Sequence, residues 1–315
     1  MQVQRKQHIL VALICLVSAS IWYFVVSHNS THTKSSVLTV VCTTSMIADV
    51  VRAVGGPHVG VTCLMGPAID PHLYRACEGD VHRLAEADII FYNGLHLEGK
   101  MSHVLAQMNT YSASYAVTDT IPRHLLRAPL GFYDSFDPHV WLDVSLWRYT
   151  VQYVCDILIV HDAKHAHTYK KQALEYLKVL QQLDDYVGAK TAQLPADKRI
   201  LVTAHDAFYY FGARYGFQVV GLQGISTESE AGIKDMSNLV DFLVAKQVPA
   251  IFLESSISQR AIQAVQCATR ARGFDVAIGP ELFSDALGNP GTPEATYEGM
   301  IKHNIDAIVA ALSES

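Results

Sequence analysis

The strongest constraint on the fold is a long segment without proline that separates two stretches of short strands and helices. It runs from His161 to Gln193, and its only glycine is Gly188. Its apolar side chains recur every three or four residues, the spacing of a helix with one buried face. They are Tyr169, Ala173, Leu177, Leu180, Leu183 and Val187. About 30 helical residues span about 45 Å, so we expect a rigid linking helix that packs on two lobes.

The stretches on either side of this helix alternate short β-rich runs with segments of helical spacing. The predicted strands are 37–42, 59–65 and 88–92 in the first half, and 199–203, 218–222, 250–253 and 275–278 in the second. Short apolar strands that alternate with helices predict parallel βαβ units. The predicted fold class is therefore α/β, with two lobes that each hold a mainly parallel sheet flanked by helices.

The first 36 residues predict an export signal. Arg5 and Lys6 precede a stretch, 7–33, without any Asp, Glu, Lys or Arg. Its apolar part, 9–26, reaches the lower length limit of a transmembrane helix and exceeds a usual signal-peptide core. Two interpretations remain open: cleavage after Ser27, or retention as a signal anchor that tethers the chain to the cytoplasmic membrane. Both place the chain from Val37 onward in the periplasm, because the positive end stays in the cytoplasm.

The predicted organisation has four parts. These are a signal peptide or anchor with its spacer at 1–36, an N-terminal α/β lobe at 37–160, the linking helix at 161–194 and a C-terminal α/β lobe at 195–315. A length of 315 residues, half of them hydrophobic, is enough for two such cores. The net charge of −6 argues against a nucleic-acid-binding protein, which would be basic.

The tripeptide Asp-Pro-His occurs twice, at residues 70–72 and 137–139. Proline restricts its own backbone and that of the preceding residue, so each histidine is presented from a stiff loop. His72 follows the predicted strand 59–65. Because ligands of open parallel sheets bind beyond the carboxyl ends of the strands, His72 is a candidate binding residue.

The second half has polar residues at equivalent places. His205 follows the predicted strand 199–203, and Asp285 lies in the loop after 275–278. Together with His72 and His139, these residues can converge on the cleft between the lobes. Three imidazoles and one carboxylate suit a borderline divalent cation such as Zn²⁺ or Mn²⁺. Such a site binds less metal below about pH 6 to 6.5, because protons then compete for the imidazoles.

The chain has fifteen histidines, and we expect most of them to be ordinary solvated side chains. This group includes the pair His161 and His165, which are four residues apart. Asp143, Glu254 and Glu281 are candidates for orienting the metal-binding imidazoles, although each fits a surface or helix-cap position equally well. The cysteines show no metal-binding spacing, but Cys42 and Cys63 lie on successive strands and are candidate neighbours.

The sequence resembles the metal-binding solute-binding proteins of ABC transporters, of the TroA type within the ZnuA and PsaA group. The resemblance extends in chain order from Val37 to Leu312. The stretches that carry it are Met65-Gly66-Pro67, Asp70-Pro71-His72-Leu73-Tyr74, residues 92–98 (YNGLHLE), 137–141 (DPHVW), 201–208 (LVTAHDAF), 221–227 (GLQGIST), 252–256 (FLESS) and 281–285 (ELFSD).

This resemblance implies two lobes on one rigid helix, with a single metal ion bound between them by His72, His139, His205 and Asp285. It implies capture of one divalent transition metal ion per chain, Zn²⁺ or Mn²⁺ with Fe²⁺ as a further option, and delivery to a membrane ABC permease and its ATPase. Manganese-selective members often have Glu at the position of His205. Zinc-dedicated members often have a long His-rich loop where residues 118–136 contain only His124.

Other classes of function remain as alternatives. An exported metal-dependent hydrolase would keep three protein ligands and an open water position on its metal. The chain has none of the HExxH, GxSxG or Walker motifs, so we expect a monomeric binding protein and not an enzyme. An adhesin built on the same fold is a third alternative.

Overall fold

The computed structural model describes residues 37–128 and 135–313. The segment predicted to be a signal peptide or anchor lies outside the described residues. Within the described part of the chain, every helix is too short or too polar to cross a bilayer. Residues from Val37 onward form one compact unit.

The first lobe contains a four-stranded sheet whose paired strands are all parallel, in the order β2-β1-β3-β4. Its strands are Leu38–Thr44 (β1), Val59–Met65 (β2), Ile89–Tyr92 (β3) and Ala113–Ala116 (β4). The helices of this lobe are Ser45–Gly55 (α1), Glu78–Ala85 (α2), Ser102–Met108 (α3) and Val144–His161 (α4). Cys42 and Cys63 are directly opposite each other on β1 and β2, and both are free thiols.

The second lobe contains two pairs of parallel strands, β5-β6 and β7-β8. They are Ile200–His205 (β5), Gln218–Gln223 (β6), Ala250–Ile251 (β7) and Ala277–Ile278 (β8). A hydrogen bond from the Phe252 amide to the Val202 carbonyl, 2.9 Å long, joins the two pairs. The helices are Tyr209–Tyr215 (α6), Ile233–Lys246 (α7), Arg260–Ala271 (α8) and Tyr297–Ser313 (α9). The predicted α/β fold class is confirmed.

The linking helix is α5, Ala166–Thr191, which is shorter than the predicted segment 161–194. Its 26 residues span about 39 Å. The predicted segment is interrupted at Asp162, whose backbone leaves the helical region (φ −143°, ψ 67°). The buried Asp162 carboxylate accepts hydrogen bonds from His165 and Tyr169, which stabilises the turn between α4 and α5. His161 therefore belongs to α4 and not to the linking helix.

The linking helix packs on elements of both halves of the chain. Five of the six residues of its predicted apolar stripe are buried in one continuous core, and Leu177 packs against that core. The hydroxyl of Tyr176 donates to Asp49 of α1 at 2.8 Å, and that of Tyr186 donates to Asp306 of α9. Because α5 contacts both lobes over its length, we expect it to resist a wide hinge motion.

Candidate metal centre

His72 lies in the loop that follows β2, at the carboxyl edge of the first sheet. The Asp70 carboxylate accepts the backbone N–H of His72 at 2.9 Å, as the restricted Asp-Pro-His backbone allows. The other carboxylate oxygen of Asp70 accepts the hydroxyl of Thr227 from the second lobe, at 2.6 Å. The His72 side chain is thus buried with its imidazole pointing between the lobes.

His139 comes from the second Asp-Pro-His loop and is fully buried. One oxygen of Asp137 accepts the backbone N–H of His139 at 2.9 Å and lies 2.7 Å from its Nδ1 atom. A carboxylate at Nδ1 favours the tautomer whose Nε2 atom has a free lone pair for a metal. This role of Asp137 is not among the sequence predictions, although its position two residues before the histidine is a signal for it.

The second lobe contributes His205 and Asp285. His205 is the last residue of β5, and Glu254, which follows β7, accepts its backbone N–H at 2.8 Å and lies 2.7 Å from its Nδ1 atom. Asp285 follows β8, and its Oδ2 atom accepts the hydroxyl of Ser256 at 3.2 Å. The Oδ1 atom of Asp285 is buried without a hydrogen-bond partner, an unfavourable arrangement that a bound cation would relieve.

The four predicted ligands are brought together, and their ligand atoms all lie within 4.8 Å of one another. The Nε2 atom of His139 is 3.2 Å from that of His72 and 3.4 Å from that of His205. It is 3.5 Å from Asp285 Oδ1, and His205 Nε2 is 3.4 Å from Asp285 Oδ2. Ligands at 2.0–2.1 Å around a tetrahedral Zn²⁺ are about 3.4 Å apart. The spacing of these atoms suits one such ion.

Of the three acids for which both an orienting role and a surface or helix-cap position remained open, only Glu254 contacts a member of this cluster. Asp143 instead caps α4, where it accepts the backbone N–H of Ser145 at 2.8 Å. Glu281 is exposed and accepts a long hydrogen bond from Gln259. Of the pair predicted to be solvated, His165 is half-buried and stacks on His58, with 3.7 Å between ring centroids.

The electrostatic environments of the three imidazoles differ. Burial lowers the pKa of His72 to about 3, so this side chain is neutral at physiological pH. Burial also acts to lower the pKa of His139, but the Asp137 and Asp285 carboxylates outweigh it and raise this pKa to about 9. The pKa of His205 is likewise raised well above its ordinary value by Glu254 and Asp285, against the effect of burial. The carboxylates that favour a proton on His139 and His205 also favour a metal ion, so protons and the metal compete for the same imidazole nitrogens.

We expect metal binding at pH 7 to release one to two protons per ion. The pKa of His139 is raised to about 9, so this imidazole holds a proton at pH 7, and the raised pKa of His205 favours a second. These protons must leave before the imidazoles coordinate a metal. Apparent affinity should rise with pH from 7 to about 9, the pKa of His139, a higher range than the pH of about 6 to 6.5 expected for unperturbed imidazoles. Calorimetric titration in buffers of different ionisation enthalpy measures the proton count. Zero release at pH 7 would contradict the raised pKa values.

Known proteins resemble this chain in sequence along most of its length. Residues 40–311 match the model of the ZnuA family, described as the periplasmic component A of a zinc-uptake complex. The manganese-binding lipoprotein MntA of Bacillus subtilis (strain 168) is 48% identical over 275 residues, which cover 87% of this chain and 90% of MntA. The iron ABC transporter substrate-binding lipoprotein MtsA of Streptococcus pyogenes (serotype M1) is 30% identical over 301 residues, 93% of this chain and 95% of MtsA.

The fold also matches a solved structure, that of the periplasmic zinc-binding protein TroA from Treponema pallidum. The TM-score is 0.86 at 48% identity, and the match covers 88% of this chain and 99% of TroA. The likeness therefore includes both lobes and the linking helix.

Proposed function

The chain belongs to the ZnuA family of periplasmic zinc-uptake components, and we propose that it captures one divalent transition metal ion and delivers it to a membrane ABC permease for import. The proposed ligands are His72, His139, His205 and Asp285. The observation that carries the proposal is their arrangement, because four buried ligand atoms from two lobes have the spacing of a single tetrahedral ion.

The number of ligands favours a binding protein over a metallohydrolase. A catalytic zinc usually has three protein ligands and keeps one position for water, whereas four protein ligands close the coordination sphere. All four side chains are also buried, with at most 3% of their surface exposed. We therefore propose that the ion is cargo and that the protein is not an enzyme.

The proposed cargo is Zn²⁺ or Mn²⁺, with Fe²⁺ as a further option. The relatives are named for manganese (MntA), zinc (TroA) and iron (MtsA). Imidazole and carboxylate ligands accept all three metals, and intrinsic affinities follow the order Mn²⁺ below Fe²⁺ below Zn²⁺. In a purified system Zn²⁺ should therefore displace Mn²⁺, whichever metal is transported in the cell.

The proposed partners are the permease and its ATPase, with the binding protein acting as a monomer in the periplasm. Its N-terminal segment is the proposed tether if it remains uncleaved. The linking helix packs on both lobes, so we propose that release requires local movement of the ligands during docking and not a wide opening of the cleft.

We expect the lobes of the metal-free and metal-loaded protein to differ by less than about ten degrees of rotation. The reason is that the buried stripe of α5 belongs to one core shared with both lobes, which a large rotation would disrupt. The rotation between the lobes is measured by comparing crystal structures of the metal-free and metal-loaded protein. A rotation of tens of degrees would contradict the proposed release by local ligand movement.

The function is tested first on the protein purified from Val37 onward, stripped with a chelator and reloaded with Zn²⁺. Elemental analysis should find one ion per chain in the parent and well under one in the Asp285→Ala variant. Asp275→Ala is the matched control, because this aspartate is exposed and contacts only a surface arginine, Arg270, among the ion pairs of the described residues. Full loading of the Asp285 variant, or an unloaded parent, would refute the site.

Transport is tested in the cell. A strain that lacks the protein should contain less of the cargo metal when grown at limiting concentrations of Zn²⁺ or Mn²⁺. Expression of the parent should restore the metal content, and expression of Asp285→Ala should not. Equal metal content in the deletion and parent strains would argue against a role in import.

A further inference from the structure

We propose that Asn93 is a positioning residue for the ligand His139, an inference that rests on the proposed metal-binding function. Asn93 follows β3 directly, and its side chain is buried with 1% of its surface exposed. Its Nδ2 atom donates to the Pro138 carbonyl at 3.1 Å. That carbonyl shares a peptide bond with the N–H of His139, which donates to Asp137. The peptide before the ligand is thus hydrogen-bonded at both ends.

The backbone after Asn93 is strained. Gly94, Leu95 and His96 all have positive φ angles, of 83°, 51° and 65°. The left-handed conformation costs a non-glycine residue about 1–2 kcal/mol, and Leu95 and His96 both adopt it. Gly94 is also required by space, because a Cβ atom there would lie 2.9 Å from the Cβ of Ala116. Strain of this kind persists where the surrounding structure enforces it, frequently at functional sites.

Glu98, which follows the strained turn, contacts Asn93 again. One oxygen of the buried Glu98 carboxylate accepts the backbone N–H of Asn93 and the hydroxyl of Thr43, both at 2.7 Å. On the other side, the hydroxyl of Thr118 donates to the Asn93 carbonyl at 2.7 Å. Both backbone polar groups of Asn93 are therefore held by buried side chains, which leaves its amide group in a defined place.

A contribution to folding stability alone does not explain why an amide group is buried at position 93. Its Oδ1 atom is buried without a hydrogen-bond partner, which is unfavourable. Its Nδ2 atom donates to Gly94 and Pro138 carbonyls, both 3.1 Å away. The second of these contacts is the only one in this group that reaches the loop of a metal ligand. The hydrogen bond from Asn93 to the Pro138 carbonyl fixes the peptide before His139 and thereby orients the His139 imidazole.

The test compares Zn²⁺ affinity in the parent with that in Asn93→Leu and Asn93→Asp. Leucine removes the hydrogen-bond donor. Aspartate keeps the shape of the side chain but places a carboxylate oxygen where the donor faced the Pro138 carbonyl. Competition with a chromophoric chelator should show affinity 10- to 100-fold lower at unchanged stoichiometry, the effect typical of residues that orient a ligand. Thr191→Val is the control, because its buried hydroxyl also lacks a partner but lies at the end of α5.

A second readout separates positioning from general stability. Cobalt(II) in the site reports ligand geometry through its visible absorption, and both Asn93 variants should alter the spectrum while the Thr191 control does not. Parent-like affinity and an unchanged cobalt spectrum in the Asn93 variants would overturn the inference. The inference would also be overturned if the Asn93 variants lost affinity and melting temperature together while the cobalt spectrum stayed unchanged, because the loss would then reflect general destabilisation. A parent protein that binds no metal would instead refute the proposed function.

Discussion

Replacement of His139 by alanine is expected to lower Zn²⁺ affinity by at least about 1,000-fold, more than the 10- to 100-fold loss typical of an orienting residue. His139 is central to the cluster, since its Nε2 atom is within 3.5 Å of a ligand atom from each of His72, His205 and Asp285. Its loss removes one of four ligands and opens the coordination sphere to water.

The measurement is a chelator competition on the protein purified from Val37, with the Zn²⁺-induced rise in melting temperature as a second readout. A ligand present at 1,000 times its dissociation constant stabilises the folded state by about 4 kcal/mol, and the variant should lose most of this effect. His103→Ala is the control, because His103 is exposed on α3. A variant that retains parent affinity would remove His139 from the site.

Replacement of Trp141 by alanine is expected to lower the free energy of unfolding by about 3–5 kcal/mol. Trp141 is 1% exposed, and its indole N–H donates to the Ser284 carbonyl of the other lobe at 2.7 Å. Its own carbonyl accepts the hydroxyl of Tyr297 at 2.6 Å. Alanine would leave a cavity between the loops of His139 and Asp285. It would also leave the Ser284 carbonyl without the indole N–H that it accepts.

Chemical and thermal unfolding of the metal-free protein test this expectation. A loss of 3–5 kcal/mol corresponds to about 6–10 °C in melting temperature at roughly 2 °C per kcal/mol. Trp141→Phe is the graded control, since it keeps most of the ring volume and loses the indole donor, for an expected cost of about 1–2 kcal/mol. A change under about 2 °C in the alanine variant would show that the two loops do not depend on this side chain.

Much of the fold follows from local sequence patterns. The strand at 59–65 has the bounds that its β-rich run predicts, because such a run is a strong local signal. The break at Asp162 was not predicted. It depends on a buried carboxylate that accepts two hydrogen bonds, and an apolar repeat does not record such contacts.

The candidate site was predicted more completely than the contacts around it. His72, His139, His205 and Asp285 were identifiable because they follow strands or repeat a rare tripeptide. The roles of Asp137 and Asn93 depend on where two loops meet in space, and Glu254 was one of three equivalent acids by sequence. Distances of 67 and 66 positions separate the three histidines along the chain, so contacts between their surroundings are fixed only by the tertiary structure.

These long separations have a consequence for when the metal can be loaded. In an unfolded chain, closing loops of more than sixty residues opposes simultaneous coordination, so the cation meets isolated weak ligands. A chain that crosses the membrane before it folds would therefore arrive without metal from the cytoplasm. Under the proposed function, such a chain would take up its ion only after it has folded outside the cytoplasm.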